Sequence, residues 1–273
     1  MKKITLNNGT SIPVLGCGMF RLTDAEEAAA VTKSALENGY RHIDTATVYR
    51  NEEAVGLGMK QSGVPREDIF LTTKIWNDMQ RKRAVREALE NSLRMLDTPY
   101  VDLYLIHWPV PAFFAQTWKD MEPLYEEGLA RAIGVCNFRI EDLQALEKIS
   151  GIVPAVNQVE MHPYLQQNEL VDYCRDRGIR MESWGTFTAG QTDLLKDPVL
   201  IEIAAQYGKS TAQVVLRWNY QRGVVSLVKS AKPERQRQNQ DIFDFELSAA
   251  DMQKIAAMDC GRRLGRDPAN SDF

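Results

Sequence analysis

The chain has 273 residues, of which 44% are hydrophobic and 26% are charged, and its formal net charge is −4 at pH 7. This balance is typical of a globular protein with a large core, and the negative charge argues against a general nucleic-acid-binding protein. The four cysteines are widely spaced without a CxxC pair, so neither a metal site nor a disulfide framework is predicted. The amino terminus is polar and no run of about 18 apolar residues occurs, so we expect a cytoplasmic protein with no membrane partner.

The amino-terminal segment predicts a small β-hairpin. Apolar residues at 4–6 and 12–14 flank Asn7-Asn8-Gly9, whose Asn-Gly pair supplies the positive φ that a tight turn needs. A short strand is predicted at 15–18, and Asp24 then caps a helix whose apolar residues recur at helical spacing. We expect the hairpin to plug the bottom of the fold.

From there, an apolar strand, a polar turn and an amphipathic helix recur about every 25 to 30 residues, which is typical of parallel βα units. Strands are predicted to begin near Ile43, Ile69, Val101, Ala132, Ala155, Arg180 and Val224. With the strand at 15–18 they make eight. We therefore predict an α/β fold, a (β/α)8 TIM barrel with an N-terminal β-hairpin and an extra C-terminal helix at 249–258. No linker divides the chain, so residues 1–273 are expected to form a single domain.

Further helices are predicted between the strands. One helix is predicted at 83–96 and another at 168–177, where Gly178 ends it. Two more, at 198–207 and 211–221, are expected between the last two strands.

Three predicted strands end on residues that can move protons: Asp44 with Tyr49 just beyond it, Lys74, and His107. The carboxyl ends of parallel barrel strands open on one face, so we expect these four side chains to converge. An ammonium from Lys74 would lower the pKa of Tyr49, and Asp44 would keep that ammonium charged. His107 would then hydrogen-bond a carbonyl oxygen beside the Tyr49 hydroxyl, which suits carbonyl reduction by a hydride supplied from elsewhere. A helix cap, a structural ion pair and a packed aromatic would explain the same residues, and spacing alone leaves both interpretations open.

The remaining histidines and the glycines near the amino terminus are interpreted as structural. His42 and His162 are expected to support neighbouring groups rather than to react. Gly16-x-Gly18 does not complete a dinucleotide fingerprint, because Arg21 stands where the third glycine belongs.

A cationic segment, defined here as residues 229–239, follows the last predicted strand and leads into a helix. In barrels this corner and a helix N-terminus commonly hold phosphate. Lys229, Ser230 and Arg235 are the predicted ligands. The alternative is a solvated helix face, to which Arg237 is assigned.

Taken together, the motifs resemble those of the aldo-keto reductase superfamily over nearly the whole chain. They follow in family order as Asp44-Thr45-Ala46 with Tyr49, Asn51 and Glu52, then residues 102–109, 134–138 and 157–160, and then Lys229-Ser230 with Arg235 and Asn239. The resemblance implies that Tyr49 is the catalytic acid, that Lys74 and Asp44 tune it, and that His107 orients the carbonyl. Within the family, residues 73–78 and 107–112 are most similar to bacterial 2,5-diketo-D-gluconate reductases.

The resemblance also implies an NADPH cofactor lying extended across the mouth of the barrel. Asn137 and Gln158 match residues that hold the carboxamide, and Trp184 matches the aromatic that stacks on the nicotinamide. The segment at 229–239 matches the grip on the 2′-phosphate, for which a bidentate arginine is well suited, and on adenine. The implied cofactor contacts are Met19, Asp44, Cys136, Asn137, Gln158, Trp184, Gly185, Thr186, Phe187, Lys229, Ser230, Ala231, Arg235, Gln238 and Asn239.

Several positions depart from the family pattern and bear on how tightly the cofactor is held. Cys136 stands where serine is common, and Gln238 stands where glutamate is typical. Gly185-Thr186-Phe187 replaces a small-Pro-Leu turn, and Val228 replaces a proline.

The implied substrate pocket is lined by Phe20, Trp76, His107 and Trp108 beside Tyr49, and the short tail is expected to leave it comparatively open. The predicted function is NADPH-dependent reduction of small aldehydes or ketones, similar to 2,5-diketo-D-gluconate or methylglyoxal, by a monomer.

Two alternatives to this function remain. One is a regulatory protein of the same fold that binds the cofactor without turnover. The other is a lyase that forms a Schiff base on Lys74, which an Asp44 partner disfavours because a nucleophilic lysine needs a lowered pKa.

Overall fold

The computed structural model describes residues 1–270 and 273. Its strands are β1 (Lys3–Thr5), β2 (Ser11–Pro13), β3 (Leu15–Gly18), β4 (His42–Asp44), β5 (Phe70–Ile75), β6 (Leu103–Ile106), β7 (Ile133–Cys136), β8 (Val156–Glu160), β9 (Arg180–Trp184) and β10 (Val225–Val228). Strands β3 to β10 run parallel and close into a barrel in chain order, with β10 paired back onto β3.

Helices connect the strands on the outside of the barrel. They are α1 (Ala25–Glu37), α2 (Glu52–Ser62), α3 (Asn77–Arg81), α4 (Val85–Met95), α5 (Phe114–Glu126), α6 (Ile140–Glu147), α7 (Asn168–Asp176), α8 (Pro198–Tyr207), α9 (Thr211–Gln221), α10 (Pro233–Gln240) and α11 (Ala249–Ala256). Because every barrel strand is followed by a helix, the predicted (β/α)8 fold is confirmed. Within residues 1–270 and 273, no helix is long and apolar enough to cross a membrane.

The amino-terminal hairpin pairs β1 with β2 in antiparallel register, Lys3 opposite Pro13. Gly9 has a φ of 87° in the connecting turn, which is the conformation that its lack of a side chain permits. Leu6 and Ile12 are buried in a cluster with Leu103 and other inward residues of the barrel. The hairpin therefore plugs the barrel, as its apolar residues predict.

Most residues of the barrel strands are buried on both faces of the sheet, as is usual for parallel strands that helices cover. All six residues of β5 are buried, and so are all four residues of β6. One apolar cluster fills the space between strands and helices, and a smaller one fills the barrel interior. Lys74 is buried in this interior, where its ammonium group has the Asp44 carboxylate and the Thr45 carbonyl oxygen as partners.

Three predicted helices differ from the structure at one or both ends. The helix expected at 168–177 ends at Asp176, and the one expected at 83–96 ends at Met95. The helix expected at 83–96 begins only at Val85, because Arg83 has a φ of 55° and separates it from the short α3. The C-terminal helix ends at Ala256 rather than at 258, and its Ile255 packs in a cluster with Leu200 of α8 outside the barrel.

Candidate active site

A buried ion pair between neighbouring strands forms the floor of the site. Asp44 ends β4 and Lys74 lies on β5. Lys74 Nζ lies 2.6 Å from Asp44 Oδ1 and also donates to the carbonyl oxygen of Thr45 at 2.8 Å. Although burial disfavours a charged amine, the Asp44 carboxylate holds the pKa of Lys74 above its usual value. Lys74 is therefore a protonated, immobilised cation.

Tyr49 is carried over this ion pair by the 3-10 turn Thr47–Tyr49, which directly follows β4. Thr47 Oγ1 donates to the carbonyl oxygen of Lys74 at 2.8 Å, and Arg50 ends the turn with a φ of 56°. Lys74 Nζ lies 5.2 Å from the centre of the Tyr49 ring. The structure thus brings Asp44, Tyr49 and Lys74 together, as the strand-end argument predicts.

The net effect of the surroundings on Tyr49 is the opposite of the sequence prediction. Burial raises the pKa of Tyr49, and the Lys74 ammonium lowers it by less. Lys74 does lower the pKa of Tyr49, as predicted. The prediction of a net lowering is wrong, because burial disfavours the phenolate more strongly than Lys74 stabilises it. The hydroxyl therefore remains protonated at neutral pH and is available as a donor.

His107 follows β6 and lies at the wall of the same site. Its ring is edge-on to Tyr49, with ring centres 5.7 Å apart, and edge-on to Trp76 at 5.0 Å. Burial, and then the charge of Lys74, hold the pKa of His107 well below its usual value. The imidazole is therefore neutral and carries one N–H donor. Its Nδ1 is buried without a hydrogen-bond partner among the described residues.

Two amides on the next strands are fixed in orientation by their partners. Gln158 Nε2 donates both to Asp44 Oδ2 and to Glu182 Oε2, each at 2.8 Å, so its Oε1 is left as an acceptor. Asn137 has a φ of 62°, donates to the carbonyl oxygen of His107 at 3.0 Å and accepts from Trp184 Nε1 at 2.9 Å. One N–H of Asn137 remains free to donate.

The cationic segment leaves β10 and begins α10. Val228 pairs with Cys17 of β3, and Gly18 of β3 pairs with Asp44. The segment therefore starts two strands away from Asp44 on the same rim, about 10 Å along the sheet.

The predicted ligands within this segment differ in exposure. Lys229 and Arg235 are exposed and make no ion pair within residues 1–270 and 273, whereas Ser230 is half-buried and Asn239 is buried. Arg237 donates to Asn38 Oδ1 at 2.9 Å, which agrees with its assignment to the helix face. Exposed cations are thus available where the sequence predicts a phosphate.

A sequence profile described as the aldo/keto reductase family matches residues 14–259. The chain belongs to the aldo/keto reductase family. It is 49% identical over 265 residues to a glyoxal reductase of Bacillus subtilis (strain 168), covering 97% of this chain and 95% of that protein. It is 44% identical over 267 residues to the methylglyoxal reductase DkgA of Escherichia coli (strain K12), covering 97% of this chain and 96% of that protein.

Solved structures agree with this assignment. An aldo-keto reductase from a Medee basin deep-sea metagenome library superposes with a TM-score of 0.96 at 42% sequence identity, covering 99% of this chain and 100% of that chain. A structure of an aldo/keto reductase from Brucella melitensis superposes with a TM-score of 0.90 at 45% identity, covering 94% of this chain and 99% of that chain.

Aldo/keto reductases use a nicotinamide cofactor, and the two fixed amides fit its carboxamide. A carboxamide offers an NH2 donor and a carbonyl acceptor. The free Oε1 of Gln158 matches the donor, and the free N–H of Asn137 matches the acceptor. The residues of this aldo/keto reductase therefore fit the cofactor that the family implies.

Two of the departures from the family pattern, the Gly185-Thr186-Phe187 turn and Cys136, have a defined local environment. Thr186 Oγ1 donates to the carbonyl oxygen of Leu227 at 3.0 Å and is 2.8 Å from Ser183 Oγ. At this position a proline would restrict the backbone of the turn through its ring, whereas the threonine hydroxyl links the end of β9 to β10 by hydrogen bonds. Gly185 has a φ of 66°, which explains the glycine there. Cys136 is buried, and burial raises the pKa of its thiol well above the usual value, so it stays neutral. The other implied contacts range from buried Met19 through half-buried Phe187 to exposed Ala231 and Gln238.

Glu182 is a site residue that the sequence prediction missed. It is fully buried on β9, its Oε2 accepts from Gln158, and its Oε1 lies 3.7 Å from His42 Nε2. A glutamate two residues before Trp184 on a barrel strand shares its inward face, and this spacing could have identified it. His42 itself is buried, 3.1 Å from Thr72 Oγ1, as expected for a supporting residue.

The C-terminal segment is attached to Trp184 through Glu160. The buried carboxylate of Glu160 accepts from the backbone N–H groups of Leu264 at 2.7 Å and Gly265 at 2.8 Å, and lies 3.1 Å from His162 Nε2. A Cβ on Gly265 would approach the Trp184 ring to 2.4 Å. The segment therefore lies directly against the aromatic expected to stack on the cofactor.

The tail also covers part of the predicted substrate pocket. The Phe273 ring centre lies 5.3 Å from that of Trp108 and 6.1 Å from that of Trp76. Arg81 donates to the carbonyl oxygen of Phe273 at 3.1 Å. The expectation that the tail leaves the pocket comparatively open is therefore wrong on this side. Phe20 is 53% exposed, and its ring centre lies 5.2 Å from that of Tyr49.

Proposed function

We propose that this aldo/keto reductase uses NADPH to reduce small aldehydes and ketones to alcohols, with Tyr49 as the proton donor. The observation that carries the proposal is the Tyr49 hydroxyl group, held protonated above a buried Lys74–Asp44 ion pair and beside a neutral His107. This arrangement delivers a proton to an oxygen atom and contains no activated nucleophile.

The side chains act on the carbonyl oxygen of the substrate. The N–H of neutral His107 donates a hydrogen bond that orients the oxygen and polarises the carbonyl. The bound nicotinamide supplies the hydride that the carbonyl carbon receives. Tyr49 gives its hydroxyl proton to the oxygen that becomes the alcohol, and the phenolate left behind is stabilised by the Lys74 ammonium. Solvent then returns a proton to Tyr49.

Lys74 is poorly suited to the alternative Schiff-base chemistry. A nucleophilic amine must lose its proton, but Asp44 raises the pKa of Lys74. Its ammonium also donates to both Asp44 and the Thr45 carbonyl oxygen. These contacts favour a fixed cation over an attacking amine.

The preference for NADPH is supported by the cationic segment. Lys229 and Arg235 are exposed, and neither is neutralised by an acidic partner in the described residues. A guanidinium group recognises a phosphate through two parallel hydrogen bonds. Because NADH lacks the 2′-phosphate, these cations would stabilise NADPH selectively.

We propose methylglyoxal and 2,5-diketo-D-gluconate as representative substrates. The first is supported by the two relatives named as glyoxal and methylglyoxal reductases. The second rests on the resemblance at residues 73–78 and 107–112. The rings of Trp76, Trp108 and Phe273 pack together beside the site and would offer a small carbonyl compound mainly apolar contact.

The experiment is a turnover assay that follows the loss of reduced-nicotinamide absorbance. Methylglyoxal and 2,5-diketo-D-gluconate are each tested with NADPH and with NADH, and reactions without substrate serve as controls. Turnover that is faster with NADPH supports the proposal. Tight NADPH binding without turnover of any small carbonyl would instead favour the regulatory alternative, and trapping of substrate on Lys74 by borohydride would favour the lyase.

A further inference from the structure

The residue of interest is Gln236, a buried glutamine on α10. It is 1% exposed, whereas its neighbours Arg235 and Arg237 are exposed residues. A buried amide must find hydrogen-bond partners for its donor and its acceptor, because leaving either unsatisfied is costly. The partners of Gln236 identify what this side chain holds in place.

The amide of Gln236 joins the cationic segment to helix α1. Its Nε2 donates to the carbonyl oxygen of Ser230 at 2.9 Å. Its Oε1 accepts from Ser34 Oγ at 2.8 Å and from Asn38 Nδ2 at 2.9 Å. Ser34 lies on α1 and Asn38 directly follows it, so the amide fastens Ser230 to a packed helix.

This contact fixes the short loop between β10 and α10. The loop starts at Lys229, after Val228 has paired with Cys17, and it ends at Lys232 before α10 begins. Inside the loop, Ser230 Oγ lies 3.2 Å from both the N–H and the carbonyl oxygen of Lys232. The Ser230 carbonyl is therefore held by the buried amide of Gln236, while the side chains of Lys229 and Lys232 are exposed to solvent.

We propose that Gln236 is a positioning residue that sets the preference for NADPH over NADH by holding the Lys229–Ser230 loop in the conformation that receives the 2′-phosphate. This inference rests on the proposed NADPH-dependent function. A ligand that finds its site already ordered does not lose affinity to the ordering of the loop. NADH has no 2′-phosphate, so its affinity depends much less on this loop.

The role of Gln236 is distinguishable from general helix packing. Gln240, one turn further along α10, donates to the carbonyl oxygen of Asn38 at 2.8 Å, and Arg237 donates to Asn38 Oδ1. These contacts hold α10 on α1 without touching the loop. Gln240 therefore provides a matched control of the same residue type on the same helix.

The test compares Gln236→Met with Gln240→Met. Methionine keeps the length and the helix preference of glutamine but cannot replace its amide hydrogen bonds. The dissociation constants of NADPH and NADH are measured for wild-type protein and both variants by quenching of tryptophan fluorescence, after thermal unfolding has established that each variant is folded. Ser34→Ala, which removes one partner of the Gln236 oxygen, gives a milder second variant.

We expect Gln236→Met to weaken the binding of NADPH about tenfold and the binding of NADH less than about twofold. The loss of one to two hydrogen bonds of ordinary strength corresponds to a change in affinity of this size. Ser34→Ala should cause a smaller loss in the same direction, and Gln240→Met should change neither affinity by more than about twofold. Equal weakening of both cofactors, or unchanged NADPH binding, would overturn the inference. If the wild-type protein itself bound NADPH no better than NADH, the proposed cofactor preference would fall and the inference with it.

Discussion

The carboxyl groups of Asp44 and Glu182 share a single amide. Gln158 Nε2 lies 2.8 Å from an oxygen of each, and both carboxyl groups are buried inside the barrel. Two ionised carboxylates so close together repel each other, so one of them binds a proton more readily. Asp44 is paired with Lys74, whereas Glu182 faces a neutral His42. Glu182 is therefore the group that holds the proton.

The first prediction concerns stability against pH. Burial, and then the charge of Asp44, raise the pKa of Glu182 from 4.5 to about 8. Between these values the folded protein holds a proton that the unfolded chain has released, so the free energy of unfolding falls as pH rises. The contribution of Glu182 is complete below about pH 4.5 and is lost by about pH 8.

Glu182→Gln removes this titration while keeping an oxygen that accepts from Gln158. The free energies of unfolding of wild type and variant are measured in urea from pH 5 to 9, and their difference isolates Glu182 from other titrating groups. We expect the free energy of unfolding of the variant, relative to that of the wild type, to increase by roughly a few kcal/mol as the pH rises across this range. A difference that is independent of pH would contradict a protonated Glu182.

The second prediction concerns the proton donor. Tyr49→Phe removes the hydroxyl but keeps the ring that packs against Phe20 and His107. We expect the turnover number to fall by about 10² to 10⁴, which is the usual contribution of a positioned acid. The affinity for NADPH should stay within about twofold of wild type, since the change leaves the amides of Asn137 and Gln158 unaltered.

Turnover and NADPH affinity are measured on the same preparations. Tyr207→Phe is a control, because the Tyr207 hydroxyl donates to Asp251 Oδ2 at 2.7 Å and the ring packs in the cluster of α8 and α11 outside the barrel. Wild-type turnover in Tyr49→Phe would exclude Tyr49 as the acid.

The barrel itself is predictable because short strand segments, polar turns and amphipathic helices alternate about every 25 to 30 residues along the chain. Strand ends such as Asp44 and Lys74 were likewise predictable as neighbours, since parallel strands share one open face. The break at Arg83 was not, because a positive φ at arginine is disfavoured locally and is held by the surrounding structure.

Some contacts could not be predicted from the periodicity of the sequence, because they join residues on different strands or connect the C-terminal residues to the barrel. Glu182 becomes part of the site only because β9 pairs with β8 so that Gln158 lies opposite it. Gln236 looks like one more polar residue in a charged helix until Ser34 and Ser230 are seen on either side of it. The position of Phe273 over the pocket rests on contacts with Arg81, Trp76 and Trp108, which are far from it in sequence.

The third prediction separates two arginines of the cationic segment. Arg235 is exposed and without an ion pair in the part of the chain that is described, whereas Arg237 is hydrogen-bonded to Asn38. We expect Arg235→Ala to weaken NADPH about tenfold or more and NADH less than about threefold, since a charge-assisted bond to phosphate is worth about 1.5 to 3 kcal/mol. Arg237→Ala should leave the ratio of the two affinities nearly unchanged.

Both affinities are measured at low and at high salt. The advantage of NADPH over NADH should shrink with salt in the wild type and much less in Arg235→Ala, because exposed charges are screened. If the preference for NADPH were unchanged in Arg235→Ala, the 2′-phosphate would not be bound by this residue.

The last prediction concerns the size of the substrate. The Phe273 ring packs on Trp108 and Trp76, and so it narrows the pocket on the side of α3. Phe273→Ala should remove this wall without touching Lys74 or Tyr49. We therefore expect kcat/KM to rise for aromatic aldehydes relative to methylglyoxal by about tenfold or more, since a single methylene group in an apolar pocket already changes discrimination by about 10-fold or more. Leu195→Ala, an exposed residue in the turn before α8, serves as the control and should leave the ratio unchanged. The ratio of kcat/KM for benzaldehyde and methylglyoxal measures the effect, and an unchanged ratio in Phe273→Ala would mean that the tail does not bound the substrate.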